Sequence, residues 1–247
     1  MKKTGIPPRS IVPAVVVSVL LLAASSSAQD FRPGSDTALE SLHEHFALAV
    51  YPYARRGAQP LGITGFEIYG ELAADEDFDS QPYSELAEDL AGDLLMPVRV
   101  GARKGLFFGI DVGVAFAQVL DLDYEAWSID VQKAIVTPGA LKPGVALRLA
   151  YSEGDSGDVY ALEQFGAELI VSKGFTLVSL FGGVGVVRSE GAFRFAEGGL
   201  VVRAEDFEST DTVLFGGVRL NLLLPKITVA VEKTQEIQGV VRIAFGW

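Results

Sequence analysis

Between Leu61 and Trp247 the chain falls into ten stretches of about ten to thirteen residues in which apolar and polar residues alternate, and nothing else in it constrains the fold as strongly. The stretches are 61–74, 94–103, 106–118, 124–136, 144–152, 160–172, 175–188, 211–224, 226–234 and 238–247. A period of two places successive side chains on opposite faces of a strand, so each stretch has one greasy face and one mixed face. An even number of antiparallel strands closes on itself with both chain ends at one rim.

The connections sort into two kinds that alternate along the chain. One kind is short and basic: Arg103-Lys104-Gly105, Pro138 to Gly144 with Lys142, Ser172-Lys173-Gly174, and Pro225-Lys226. The other is acidic and mostly longer: Asp75 to Asp93, Asp121 to Glu125, Glu153 to Asp158, Ser189 to Thr210, and Gln235-Glu236. A soluble sandwich has no reason to sort its loops in this way. A transmembrane barrel does, with tight turns on the periplasmic rim and larger loops outside. The Ser189 to Thr210 connection is long enough to extend as a hairpin of its own.

The first 28 residues read as a secretory signal peptide: Lys2, Lys3 and Arg9, an apolar run from Ile11 to Ala24, then small residues to Ala28, after which cleavage is expected. The whole chain carries a net charge of -12, and this piece holds three basic residues and no acid, leaving -15, which makes nucleic acid an unsuitable partner. Mean hydropathy is +0.31, yet beyond residue 28 no apolar stretch is long and pure enough for a membrane helix, so the hydrophobicity is dispersed in short segments. The chain has no cysteine, which excludes disulfides, thiol chemistry and thiolate metal sites.

At the carboxyl end Val241, Ile243, Phe245 and Trp247 share one face of the last strand. This ending resembles the C-terminal β-signal of bacterial outer-membrane proteins, over about ten residues. The resemblance implies recognition by the barrel-assembly machinery and contact with outer-membrane lipid and lipopolysaccharide. The expected fold is therefore all-β: a transmembrane antiparallel up-and-down β-barrel of about ten strands over 61–247, with a short N-terminal helix within 29–60.

Splitting each strand by its period of two leaves one charge facing inward on nearly every strand: Glu67, Arg99, Asp111, Asp130, Arg148, Glu168, Arg219, Glu232 and Arg242. The seventh strand, rich in Gly182, Gly183 and Gly185, has no clear inner face. Counted from the basic turns, these charges fall at similar depth with mostly alternating signs, and closure brings Arg242 beside Glu67. Such a belt reads first as a salt-bridge layer filling a narrow lumen, and second as a selectivity ring for a small polar solute.

Leu39, Leu42, Phe46 and Val50 recur at helical spacing behind Ser35 or Asp36 as cap, predicting a short amphipathic helix that lies beneath the barrel in the periplasm or plugs its lumen. His43 and His45, the only histidines, read as part of its solvated face; two residues apart on a helix, they do not converge on a metal. The outer-membrane barrel enzymes, namely omptin proteases, lipid A acylases and deacylases and the outer-membrane phospholipase, use a histidine on the wall or outer rim. No strand or outer loop here has one, so the resemblance to them fails at the general base. No catalytic residue, cofactor or metal is assigned. The expected function is a non-enzymatic outer-membrane scaffold or interaction protein with a narrow charged lumen, with a small-solute channel or a soluble periplasmic binding barrel as alternatives.

Overall fold

A computed structural model describes residues 36–75, 96–119, 124–139, 141–157, 159–197, 200–222, 224–234 and 237–247. The expected signal peptide and most of the first acidic loop lie outside the described residues. Among the described residues one helix, α1 (Asp36–Val50), precedes ten strands: β1 (Phe66–Asp75), β2 (Pro97–Gly105), β3 (Ile110–Val119), β4 (Tyr124–Val136), β5 (Gly144–Ser156), β6 (Tyr160–Gly174), β7 (Val178–Glu197), β8 (Leu200–Asn221), β9 (Pro225–Lys233) and β10 (Ile237–Gly246). Each strand pairs antiparallel with its sequence neighbour, and β1 pairs with β10, so the sheet is a closed ten-stranded barrel without edges. Trp247 completes the seam, exchanging backbone hydrogen bonds with Phe66 at 3.0 and 3.1 Å.

The basic turns gather on one rim and the acidic connections on the other, as antiparallel order requires. Alternation along the strands turns the molecule inside out relative to a soluble protein. Leu72, Val114, Trp127, Ile129, Leu149, Phe165, Val184, Leu214, Val231 and Val241 are exposed on the outer wall, whereas inward charges such as Glu67, Arg148 and Glu168 are buried. The glycine-rich strand that alternation left undecided has a definite inner face, with Phe181, Val187, Ser189 and Phe193 buried.

The first strand begins at Phe66 rather than at residue 61, and the third begins at Ile110 rather than at 106. Residues Phe107–Gly109 form a 3-10 turn with Phe108 at φ 60 and Gly109 at φ 71, closed by the Leu106 amide donating to the Ile110 carbonyl at 2.7 Å. Phe108 is thus an exposed turn residue on the basic rim, not a strand position. Apolar residues in a tight turn imitate strand periodicity, and only the positive φ reveals the difference.

β7 and β8 run to 20 and 22 residues, well beyond their neighbours. The connection from Ser189 to Thr210 is therefore an extended hairpin. Its outer face changes character at Arg188, which reaches Glu190 at 3.0 Å and Glu208 at 2.8 Å, all well exposed. Below Arg188 the outer face is apolar, with Leu180, Val184 and Val186; above it the face is charged, so the hairpin tip projects past the apolar band.

Candidate functional site

The lumen is occupied by the chain's own amino-terminal segment. Helix α1 sits at the acidic-rim end. Leu39, Leu42, Phe46, Ala47 and Val50 pack into one buried cluster with Ala117, Val119, Tyr124, Ala126, Tyr160, Leu162, Phe193 and Phe195 of the wall. Those wall residues stand at the acidic-rim ends of β3, β4 and β6 and on the projecting part of β7. Phe46 meets Tyr124 edge-on with ring centroids 4.6 Å apart, and Tyr160 stacks on Phe193 at 4.3 Å. Aromatic geometry of this kind adds about 0.5–1.5 kcal/mol per pair beyond simple burial.

His43 is enclosed within this layer rather than solvated, at 1% exposure. Its Nδ1 lies 2.8 Å from the Tyr160 hydroxyl, and its ring stacks on Phe207. Burial holds the imidazole down to about 4, partly offset by the Asp211 carboxylate. The helical pattern placed the apolar stripe correctly. His43 falls beside that stripe, and the narrow lumen leaves no face of the helix free at this position.

The carboxyl end of α1 points down the lumen. A helix terminus presents carbonyls that lack intrahelical partners and a partial negative charge. α1 has no basic residue in its last turn, and the wall supplies the donors instead. Arg99 Nη2 donates to the Val50 carbonyl at 2.6 Å, and Gln164 Nε2 donates to the Ala47 carbonyl, also at 2.6 Å.

From Tyr51 to Gln59 the chain continues as an irregular strap toward the basic rim, bent at Tyr51, Arg56 and Ala58. Tyr51 lies over Gly166, where any side chain would collide with the phenol. Further down, the Ala58 amide donates to Ser172 Oγ at 2.8 Å and the Leu61 amide donates to Asp111 at 3.0 Å, both near the basic-rim ends of their strands.

The strap threads the charge belt and completes it. Arg55 grips Glu232 with two parallel bonds, Nε and Nη2 each donating at 2.8 Å, and donates a third to Glu71. Arg56 donates to Asp111 at 2.9 Å and to the Gln59 carbonyl at 2.7 Å. On the wall, Arg99 joins Arg55 on Glu71. Arg148 bridges Asp130 at 3.0 Å and Glu168 at 2.9 Å, Arg103 joins Arg148 on Asp130, and Arg219 and Arg242 share Glu67. Arg242 also lies over the Tyr69 ring, 3.5 Å from its centre. All of these carboxylates and guanidiniums are buried. An isolated buried ion would cost several kcal/mol, so shared pairing is what allows thirteen charges in so small a volume.

All nine residues singled out from the strand pattern face inward and are buried, and each takes part in this network or borders it. They are not at one depth. Glu67 and Asp111 are the second residues of strands that start at the basic rim, and Arg219 lies two residues from the end of β8, whereas Asp130 is central in β4 and Arg99 and Glu232 lie toward the acidic-rim ends of β2 and β9. Strand tilt and stagger decouple position in sequence from height in a barrel. Val241, Ile243 and Trp247 are exposed on the outer wall, with Phe245 half-buried among them.

Four members of the network lie outside the belt assigned from sequence. Glu71 falls on the inner face of the first strand beside Glu67 but beyond the single charge assigned to it; Arg103, expected in the first basic turn, is instead a buried residue of β2, which runs to Gly105; and Arg55 and Arg56 lie in a segment without periodicity. One signal was available: the nine assigned residues comprise five acids and four arginines, so the wall alone leaves negative charge for an additional cation to meet.

No family model matches the chain, and no curated protein matches its sequence. Solved structures similar to it include the KdgM porin in complex with disordered oligogalacturonate, at 7% identity and a TM-score of 0.38 over 73% of this chain and 98% of that one. The β domain of the Bordetella autotransporter BrkA gives 14% and 0.38 over 74% and 99%. The N-terminal β-barrel domain of Pseudomonas aeruginosa OprF gives 11% and 0.33 over 75% and 99%.

Proposed function

We propose that the chain is a non-enzymatic outer-membrane barrel of scaffold or interaction type, held shut by its own amino-terminal segment. The observation that carries this reading is the inversion of the wall, with an apolar exterior and, among the described residues, thirteen buried charges inside. An apolar exterior running around the whole circumference far exceeds the few hundred Å² that water-soluble monomers expose. Hydrocarbon accepts such a surface only from a sheet with no free edge, and this one is closed.

The occupied lumen supports a scaffold over an open passage. The strap fills the ionic layer and α1 fills the layer above it, so a solute must displace protein to cross. Enzymatic use of His43 is disfavoured, because an imidazole at 1% exposure has no access to a substrate.

The test is fractionation followed by planar-bilayer recording. The full chain is expected in the outer-membrane fraction, with faster gel mobility when unheated and no steady conductance. Recovery as a freely water-soluble protein without detergent would end the membrane reading. A steady conductance from the intact protein would replace the scaffold with a channel.

A further inference from the structure

The amino-terminal segment runs through the barrel in a fixed direction. Val50, at the carboxyl end of α1, is seated on Arg99 above the ionic layer, and the chain then descends to Leu61 at the basic rim before entering β1. At the other end of α1, Leu39 and Leu42 pack with aromatic residues at the acidic-rim ends of the strands, and Glu40 is exposed to solvent. The end of the helix near Asp36 therefore opens at the acidic rim, which carries the longer loops that an outer-membrane barrel directs outside the cell.

We infer that the amino-terminal segment makes an eleventh, outward-directed crossing through the lumen, so that the Asp36 end of α1 is presented on the outer face of the membrane beside the β7–β8 hairpin. The inference rests on the membrane reading above. The lumen beneath α1 holds the strap and its ion pairs.

Three contacts fix the direction. Arg99 and Gln164 meet carbonyls that only the carboxyl end of a helix leaves free. Gly166 and Gly191 are wall positions without side chains, against which Tyr51 and His43 respectively rest, and a Cβ at either would collide with its occupant. Arg55 and Arg56 lock the descending strap to three wall carboxylates. A reversed segment would satisfy none of these. Function follows from position: the acidic rim, the projecting hairpin and the Asp36 end of α1 form one outward surface, held from below.

The absence of cysteine makes the test direct. Single-cysteine variants of the full chain are expressed in cells and treated with a membrane-impermeant maleimide before and after permeabilising the outer membrane. Glu40→Cys reports α1, Asp206→Cys the outer face of the hairpin, and Leu141→Cys, at a position 93% exposed, the basic rim. Glu40→Cys and Asp206→Cys are expected to label equally in intact cells, and Leu141→Cys only after permeabilisation. If Asp206→Cys labels in intact cells but Glu40→Cys requires permeabilisation, or reacts only after denaturation, the outward crossing is wrong and the membrane orientation stands. If Asp206→Cys and Leu141→Cys exchange behaviour, the orientation itself is wrong and the inference falls with it.

Discussion

Replacing Arg55 with methionine should unseat the strap while leaving the barrel closed. The side chain spans Glu232 and Glu71, making two parallel bonds to the first and one to the second. Glu71 retains Arg99 after the change, so the charge left stranded is that of Glu232. Removing one partner of a buried ion pair costs about 3–5 kcal/mol, because the remaining charge has neither water nor a counter-ion. At about 1.4 kcal/mol per tenfold, strap docking should weaken by roughly two to three and a half orders of magnitude. The barrel itself is held by ten backbone ladders that do not involve Arg55, so its heat-modified gel mobility should barely change.

Trypsin gives the readout. Arg56 is buried in the docked strap and is cut only when the strap leaves, so cleavage of the folded barrel follows the undocked population as long as reclosing is fast. Cleavage at Arg56 should be undetectable in the parent protein and rapid in Arg55→Met. Adding Glu232→Gln should restore most of the protection, since it removes the stranded charge without restoring the pair. If Arg55→Met is cut no faster than the parent, or Glu232→Gln recovers nothing, buried pairing does not hold the strap and the description of the lumen is wrong.

Other measurements test other layers. The folded His43 pKa, near 4, lies below its ordinary 6.5, so the neutral ring is the docked form, even with Tyr160 and the Asp211 carboxylate around it. Helix docking should accordingly be intact above about pH 6.5 and weaken as pH falls toward 4, and His43→Asn should flatten the dependence of tryptic protection over that window. Gly166→Val should push Tyr51 off the wall and raise strap cleavage, whereas Gly139→Val, in the exposed basic-rim turn and with open space around it, should not. Leu149→Arg on the outer wall should lower folding stability in lipid vesicles by about 2–4 kcal/mol if it sits near the bilayer midplane, and an unchanged stability would remove that surface from hydrocarbon. Deleting Trp247, whose backbone pairs with Phe66 at the seam, should slow assembly in cells more than it lowers the stability of protein already folded.

Local rules carried much of this protein. A period of two in ten segments sets the strand number and the inner and outer faces, because an apolar outer wall and ions inside leave each strand only one register. Alternating loop chemistry sorts the two rims, and helical spacing marks α1 with Leu39, Leu42, Phe46 and Val50 on its packed side. Tertiary structure alone decided the rest. Where alternation lapses, in the glycine-rich β7 and at Phe108, side-chain pattern stops reporting backbone geometry, and neighbouring strands or a positive φ decide. The strap from Tyr51 to Gln59 has no periodicity because it forms no ladder; it is held by Arg55 and Arg56 reaching carboxylates as far as 177 residues away in the chain. Strand faces follow from neighbours one and two positions apart, and so can be read along a sequence. The closing of the lumen depends on charges that meet only when the cylinder brings distant segments to the same height, and no pattern along one dimension records that height.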